Sequence, residues 1–412
     1  MKDWVKINAN RAFAEEKGQS PVIKCLLSIA DNPALFSRLL SQGVPSDLSA
    51  TERQALVGMR LEQIMAWRKD LADKFSGRPD DRRFCLLALG HLIAARYSGK
   101  AQSFDAIGYT LTKLSNAIAA NDPIIFTFCF GGYKCHTSPS HPEVDWAELF
   151  NLNFLVSYLY PIMQGYAHGV EIEYESEEIS IQFNNVPQVQ TDKYTASFKK
   201  LLAYYIAQAQ EKYGLSLTLR MEIARERYPN DEELYRLVEE KKPGYSELFA
   251  SLTEEEQEKW LQRASSNFMW ENGIKVFLDL TESERREVIR EARITNEAFL
   301  EADYVLREEW FEQANRIPLT GTWGRMPSAQ PIDGWLHLKS TAASVTDCWI
   351  GTGYLEERPV NGKIHYAEKI LSKSQRESLA ERLVVYEENT DDSLKQVSAN
   401  FSRIPIIKEN KR

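Results

Sequence analysis

One polar segment of the chain carries side-chain types that together suit the binding of an anion. Gly131-Gly132 allows a tight turn and lets the backbone approach a ligand without a Cβ clash. Lys134 supplies a cation, and Asp145 and Glu148 supply two carboxylates a short distance further on. A lysine beside the free N–H groups of a helix start is suited to a phosphate or carboxylate. We therefore predict a site for an anionic or zwitterionic small molecule.

A second interpretation of the same carboxylates is structural. Asp145-Trp-Ala-Glu148 has the spacing of a capping pair, in which the first residue accepts backbone N–H bonds and the second reaches back. The apolar residues that follow recur at helical spacing and form a stripe that faces the core: Leu149, Leu152, Val156, Leu159 and Met163. Extending that stripe backwards places Asp145 on the core-facing side at the helix start. Both roles, capping and ligand binding, stay open.

The same segment also contains residue types that bind metal ions. The residues with metal-binding side chains are His136, His141, Glu143 and Asp145. Their spacing is not that of a known zinc site, and prolines between them keep the two His residues off one helical face. The glycine pair also lacks the spacing of a nucleotide-binding loop. We therefore predict no metal and no nucleotide cofactor here.

A second polar segment lies much later in the chain. It contains Arg316, Trp323 and Arg325, followed by His337 and Lys339 in an alternating β pattern. Arginine, lysine and tryptophan side chains in so short a stretch suit an anionic or zwitterionic small molecule. An ordinary half-exposed sheet explains the same alternation, so both interpretations stay open.

The elements that must position these residues are those of a parallel sheet. An apolar run, Ile124–Phe130, is bounded by turn residues and predicts a strand buried on both faces. Two further strands are predicted at Val170–Tyr174 and Leu215–Leu219, with helices at Asp145–Tyr166 and Tyr194–Tyr213 between them. Alternating strands and helices predict an α/β fold, in which ligands bind beyond the carboxyl ends of the strands.

The rest of the chain divides into regions of different character. We expect an N-terminal helical region at 1–120, an α/β core at 121–229 and a β-rich part completing the core at 316–412, with a helix at Ser372–Glu388. The charged region 230–315 predicts a helical insertion or cap, which either faces water or docks a partner. His91 lies within an apolar helix and is predicted to be a hydrogen-bonded core residue.

Composition narrows the classes of function. The chain has 412 residues and a formal net charge of -9, which argues against binding to nucleic acid or to an anionic membrane. Its five cysteines are irregularly spaced, as in proteins with reduced thiols, and no apolar run is long enough to span a bilayer. The first residues lack the pattern of a secretory signal. We therefore expect a cytoplasmic protein.

The order of these features resembles the isocyanide (isonitrile) synthase and dityrosine-precursor family. The shared features are a strand ending in Phe-Gly-Gly-Tyr-Lys-Cys, a Ser-Pro, an Asp-x-x-Glu that opens a Leu-rich helix, a strand from Val170 to Tyr174, and a later Arg followed by His337. The resemblance covers about a third of the chain, at 124–215 and 316–350. This chain departs from the family at its glycine pair and at Ser176-Glu177, where the family carries Ser-Asp-Gly.

The resemblance implies both a fold and a reaction. It implies a Rossmann-like sheet and a secondary-metabolite enzyme that modifies the amino group of an amino acid, typically Tyr or Trp, with ribulose 5-phosphate as the carbon source. By position, the residues carried over are Lys134, Asp145, Glu148, Arg316 and His337. The resemblance then implies that Lys134, Glu148 and His337 are catalytic, with Glu148 or His337 taking the proton of the amine, and that Lys134 and Arg316 clamp a phosphate or the amino-acid carboxylate. The other residues expected to bind substrate are Gly131, Gly132, Asp145, Trp323, Arg325 and Lys339. Neither a metal nor a nucleotide is implied. A non-catalytic small-molecule-binding or protein-interaction module stays the alternative, and homodimerisation stays open.

Overall fold

The structure is a computed structural model. It describes residues 44–45, 62, 81–95, 104–130, 134, 140–176, 187–212, 214–223, 231–262, 280–313, 316–320, 348, 351–360, 363–371, 379 and 383–408.

The described strands and helices are numbered in chain order. The strands are β1 (Val44–Pro45), β2 (Ile124–Phe130), β3 (Val170–Ser176), β4 (Leu217–Ile223), β5 (Arg316–Thr320), β6 (Thr352–Val360), β7 (Lys363–Leu371), β8 (Leu383–Glu388) and β9 (Arg403–Lys408). The helices are α1 (Asp81–Ala95), α2 (Phe104–Ala120), α3 (Trp146–Gly165), α4 (Gln188–Ala207), α5 (Asp231–Ser251), α6 (Glu254–Gln262), α7 (Glu282–Gln313) and α8 (Asp392–Lys395).

The centre of the fold is a four-stranded sheet in the order β4-β3-β2-β5. Each neighbouring pair is parallel, and β5 lies beside β2 with Arg316 opposite Ile125. The prediction of an α/β fold with a mainly parallel, Rossmann-like sheet is confirmed. Strand β2 has the bounds expected from its apolar run, because a strand buried in the middle of a sheet needs apolar residues on both faces.

Helix α3 lies at the centre of the described part of the chain, between two sheets. On one side it packs against β3 of the parallel sheet, and on the other against β6 and β7. Those two strands belong to a five-stranded sheet in the order β1-β7-β6-β9-β8, which the sequence did not predict. Every side chain from Trp146 to Met163 is buried, so the prediction of a single apolar stripe was too narrow. A helix covered on both sides has no solvent-facing side.

The end of the chain corrects another prediction. The expected helix at Ser372–Glu388 was wrong over its last 6 residues, because Leu383–Glu388 forms strand β8. That strand pairs antiparallel with β9 along its whole length. Its β-branched valines and its tyrosine favour a strand, and the paired edge of β9 supplies the hydrogen bonds.

Helices α1 and α2 lie where the apolar patterns of the sequence indicate helices. Helix α1 packs on α2 and α3, and its buried His91 has Nε2 2.6 Å from the carbonyl oxygen of Tyr158, as predicted for a hydrogen-bonded core residue. Helices α5 and α7 of the charged region pack together around a small hydrophobic core of their own. Among the helices that the structure describes, none combines the length and the apolar character needed to cross a membrane.

Candidate active site at the start of helix α3

Lys134 lies beyond the carboxyl end of β2 and is almost completely buried. Its Nζ is 2.8 Å from Oδ1 of Asp145, and it also donates a hydrogen bond to Oε2 of Glu148. The sequence placed these three residues in one segment, and the structure brings their charged groups into direct contact. The lysine is bound to two carboxylates, so its charge is already neutralised.

The two carboxylates also form a complete capping box at the start of α3. Oδ1 of Asp145 accepts the backbone N–H of Ala147 at 2.7 Å, and Oε2 of Glu148 accepts the backbone N–H of Asp145 at 2.8 Å. The capping interpretation is therefore confirmed. Capping and contact with Lys134 occur together, because each carboxylate oxygen accepts more than one hydrogen bond.

Two further elements complete this cluster. From helix α4, the hydroxyl of Tyr194 donates to Oε1 of Glu148 at 3.0 Å. From strand β6, the backbone N–H of Gly353 donates to Oδ1 of Asp145 at 3.3 Å. A Cβ at position 353 would overlap the backbone at the start of α3, so only glycine lets β6 approach this closely. We use the name carboxylate cluster for the residues that meet here: Lys134, Asp145, Glu148, Tyr194 and Gly353.

Burial sets the electrostatics of the carboxylate cluster. Desolvation is the largest cause that raises the pKa of Glu148 to about 7, with Lys134 opposing the rise and Asp145 adding to it. Burial also penalises the charge of Lys134, but the two carboxylates outweigh that penalty and raise its pKa. Burial, followed by the charge of Glu148, raises the pKa of Tyr194 well above its ordinary value. Near neutral pH, Lys134 is therefore charged, Tyr194 is a neutral donor and Glu148 exchanges a proton.

This arrangement suits proton transfer better than anion binding. A group whose pKa lies near the working pH is effective as a general acid or base. Lys134 holds the Glu148 carboxyl group in place and supports its ionised form. An ammonium group with two carboxylate partners is not an open cation, so the expectation that Lys134 clamps a phosphate is not supported by this geometry.

Arg316 is not part of the carboxylate cluster. It begins strand β5, opposite Ile125 near the amino end of β2, and its Nε is 2.8 Å from Oε2 of Glu173. Glu173 is in the middle of β3 and completely buried. Arg316 thus binds a carboxylate of the sheet, whereas Lys134 binds the carboxylates of the helix start. The expectation that these two cations hold one ligand is not supported by these contacts.

The other candidate residues fall outside the described part of the chain: Gly131, Gly132, Trp323, Arg325, His337 and Lys339. Their predicted roles stay predictions. Within the described residues, no group of three or more His, Cys, Asp and Glu side chains is arranged to hold a metal ion. His141 is exposed beside Ser140, and His136 is outside the described part.

Sequence reasoning missed several residues of this site. Tyr194 was placed in a helix but given no role, although a tyrosine at a buried helical position needs a partner for its hydroxyl. The same rule applies to Tyr174, which donates to Asn151 of α3 at 3.0 Å, and to Tyr205, which donates to Asn153 at 2.9 Å. Buried tyrosines facing polar residues of a central helix were the available signal.

The geometry defines an α/β protein with a parallel sheet, a buried central helix and a carboxylate cluster beyond the sheet's carboxyl end. Among solved structures, the chain is similar to the PvcA protein from Pseudomonas aeruginosa, with a TM-score of 0.51 and 16% sequence identity. The match covers 79% of this chain and 99% of that one. At this identity the similarity shows the fold. No model of a protein family and no curated protein sequence matches the chain.

Proposed function

We propose that this protein is a small-molecule biosynthetic enzyme of the isonitrile-synthase type, which modifies the amino group of an amino acid. The fold shared with PvcA extends over most of the chain and supports an enzyme of this type. The order of motifs that resembles the isocyanide synthases supports it independently. The observation that carries the proposal is the buried Glu148, whose pKa of about 7 makes it a proton acceptor at physiological pH.

The chemistry of the first step explains why such a group is needed. An amino acid arrives with a protonated amine, which must lose a proton before its nitrogen attacks the carbonyl carbon of a sugar phosphate. Before the transfer, Lys134 and Tyr194 hold the ionised Glu148 carboxylate in place through the hydrogen bonds they donate to it. Glu148 then accepts the proton of the amine and becomes a neutral carboxyl group. Proton transfer by a positioned carboxylate is worth about 10²–10⁴-fold in rate.

The direct test is product formation. Purified protein is incubated with each of the common amino acids and ribulose 5-phosphate, and mass spectrometry detects an isonitrile or N-formyl product. We expect product with one amino acid or a few, with aromatic amino acids tried first. No consumption of any amino acid with this co-substrate would contradict the proposal.

A matched pair of variants assigns the proton acceptor. Glu148→Gln keeps the shape and a capping oxygen but removes the titrating group, and we expect it to lower the turnover rate by about 100-fold or more. Glu256→Gln is the control, because Glu256 accepts the backbone N–H of Thr253 at 2.9 Å in an exposed capping box of α6. Equal activity of the two variants would show that Glu148 is not the proton acceptor.

A non-catalytic interaction protein is the second candidate, and one observation favours it. Helices α5 and α7 form a core of their own, separate from the main core, beneath a charged surface. A binding module of this kind would be stabilised by a protein partner and would consume no amino acid. The product assay therefore separates the two candidates.

A further inference from the structure

A serine at the carboxyl end of β3 has a buried hydroxyl that no described residue binds. Ser176 is the last residue of β3, and its side chain is completely buried. Within the described part of the chain, its Oγ has no hydrogen-bond partner. A buried hydroxyl without a partner costs free energy, so such groups in folded proteins are normally satisfied. The hydroxyl of Ser176 therefore indicates a polar group that binds there.

The pleat of β3 places this hydroxyl on the side of the sheet that α3 covers. Side chains two residues apart in a strand point to the same face, so Ser176 shares the face of Tyr174. The hydroxyl of Tyr174 donates to Oδ1 of Asn151 in α3 at 3.0 Å, which identifies that face as the one beneath α3. In the register of the sheet, Ser176 lies beside Phe130, the last residue of β2. Ser176 therefore ends its strand on the α3 side of the sheet.

The direction of α3 places Ser176 at the level of the carboxylate cluster. Helix α3 connects the parallel strands β2 and β3, so it runs antiparallel to both and begins at their carboxyl ends. Tyr174 meets α3 at Asn151, and Glu148 precedes Asn151 by about one turn on the same side of the helix. The step from Tyr174 to Ser176 along β3 therefore leads from Asn151 towards Glu148. Ser176 and Glu148 thus lie at the same edge of the sheet, where ligands of α/β proteins bind.

The carboxylate of Glu148 has room for one more hydrogen-bond donor. A carboxylate has two oxygens with about four acceptor positions. Oε2 accepts from Lys134 Nζ and from the backbone N–H of Asp145, and Oε1 accepts from the Tyr194 hydroxyl. Among the described residues, none donates to the second position of Oε1. A donor placed there also meets negative charge, because Asp145 and ionised Glu148 share one described cation, Lys134.

We propose that Ser176 and Glu148 together bind the amino group of the substrate, with Oγ of Ser176 and Oε1 of Glu148 each accepting a hydrogen bond from it. This assignment rests on the proposed function, which makes the substrate an amino acid. An ammonium group carries three N–H donors and one positive charge, which match a hydroxyl oxygen and a carboxylate. When the proton moves from the nitrogen to Oε1, two N–H bonds remain on the amine. Ser176 still accepts from one of them and keeps the nitrogen in place for its attack.

The test compares an amino acid with the analogue that lacks only its amino group. Isothermal titration calorimetry first finds which of the common amino acids binds most tightly, starting with L-tyrosine and L-tryptophan. That amino acid is then compared with its analogue, which is 3-(4-hydroxyphenyl)propanoate for L-tyrosine and indole-3-propanoate for L-tryptophan. We expect the amino acid to bind at least about tenfold more tightly, because a hydrogen bond to a charged group is worth that much. Equal binding of the pair, or no binding of any amino acid, would overturn the proposal.

Two serine variants assign the contact. Ser176→Ala should weaken binding of the amino acid about tenfold and leave binding of the analogue unchanged. Its melting temperature should stay unchanged or rise, because the lost hydroxyl has no partner among the described residues. Ser157→Ala is the matched control and should bind as the wild type does, because Ser157 is also buried without a described partner for its Oγ but lies further along α3, beyond Asn153. Wild-type affinity in Ser176→Ala, or an equal loss in both variants, would overturn the site.

Failure of this assignment is distinguishable from failure of the proposed function. If an amino acid is converted to product while Ser176→Ala binds it as tightly as the wild type does, the reaction stands and the role of Ser176 falls. If an amino acid binds with the expected dependence on its amino group and on Ser176 but no product forms, the binding site stands and the proposed reaction falls.

Discussion

The pKa of Glu148 can be measured through protein stability, without knowing the substrate. The glutamine variant is expected to fold, because its carboxamide oxygen can accept from Lys134 and Asp145, and the Tyr194 hydroxyl can turn to accept from its NH₂ group. Effects of pH on groups distant from Glu148 are common to wild type and variant, and the raised pKa values of its neighbours Lys134 and Tyr194 keep their titration out of the neutral range. The difference between their free energies of unfolding therefore reports the titration of Glu148 alone.

The sign and size of that difference follow from the structure. The folded protein raises the pKa of Glu148 from 4.5 to about 7, so between these values the folded state holds a proton that the unfolded state has released. Stability contributed by the wild-type residue is then fully present below pH 4.5 and is lost as the pH rises to about 7. At 1.36 kcal/mol per pKa unit, the difference between wild type and Glu148→Gln should fall by about 3 kcal/mol across this window.

The assay is urea unfolding of both proteins at a series of pH values from acid to slightly alkaline. We expect the wild type to lose stability relative to Glu148→Gln as the pH rises, and the difference to level off above neutrality. Parallel profiles throughout would mean that Glu148 is already ionised in the folded protein. That result would refute the argument that burial makes it a proton acceptor near neutral pH.

Three further substitutions test the packing around the site. Gly353→Ala should lower stability by roughly 2–3 kcal/mol in thermal unfolding, because its Cβ overlaps the start of α3 and β6 must shift. Arg316→Met leaves a buried glutamate with one cation fewer and should cost about 3 kcal/mol in urea unfolding. Tyr194→Phe removes a donor that favours ionised Glu148, so it should move the pH midpoint measured for Glu148 upwards and cost about 1 kcal/mol.

Matched controls accompany these variants. Gly244→Ala lies in helix α5 with open space around it and should be neutral or stabilising by up to about 1 kcal/mol. Arg236→Met breaks an exposed pair with Glu240 and should cost less than about 1 kcal/mol. A Gly353→Ala protein as stable as the Gly244→Ala protein would show that β6 does not contact the helix start as described. An unchanged midpoint in Tyr194→Phe would show that its hydroxyl does not support the ionised carboxylate.

Local sequence patterns predicted the features of the site that depend on residues close together in the chain. The apolar run of β2 and the Asp-x-x-Glu spacing of the capping box are short-range signals, and both were interpreted correctly. Strand β8 was misassigned because its partner strand β9 lies beyond a separate helix, and pairing decided its conformation. The five-stranded sheet was missed for the same reason, since β6 pairs in parallel with the distant β9.

What the sequence alone determined is the α/β class, the position of the central strand and the presence of Lys134, Asp145 and Glu148 within one segment. Only the tertiary structure decided what these residues do. It buried Glu148 and thereby raised its pKa, placed Lys134 in contact with two carboxylates, and paired Arg316 with Glu173 of β3. The physical reason is that burial, desolvation and charge pairing depend on which distant elements meet, and spacing along the chain carries little of that information.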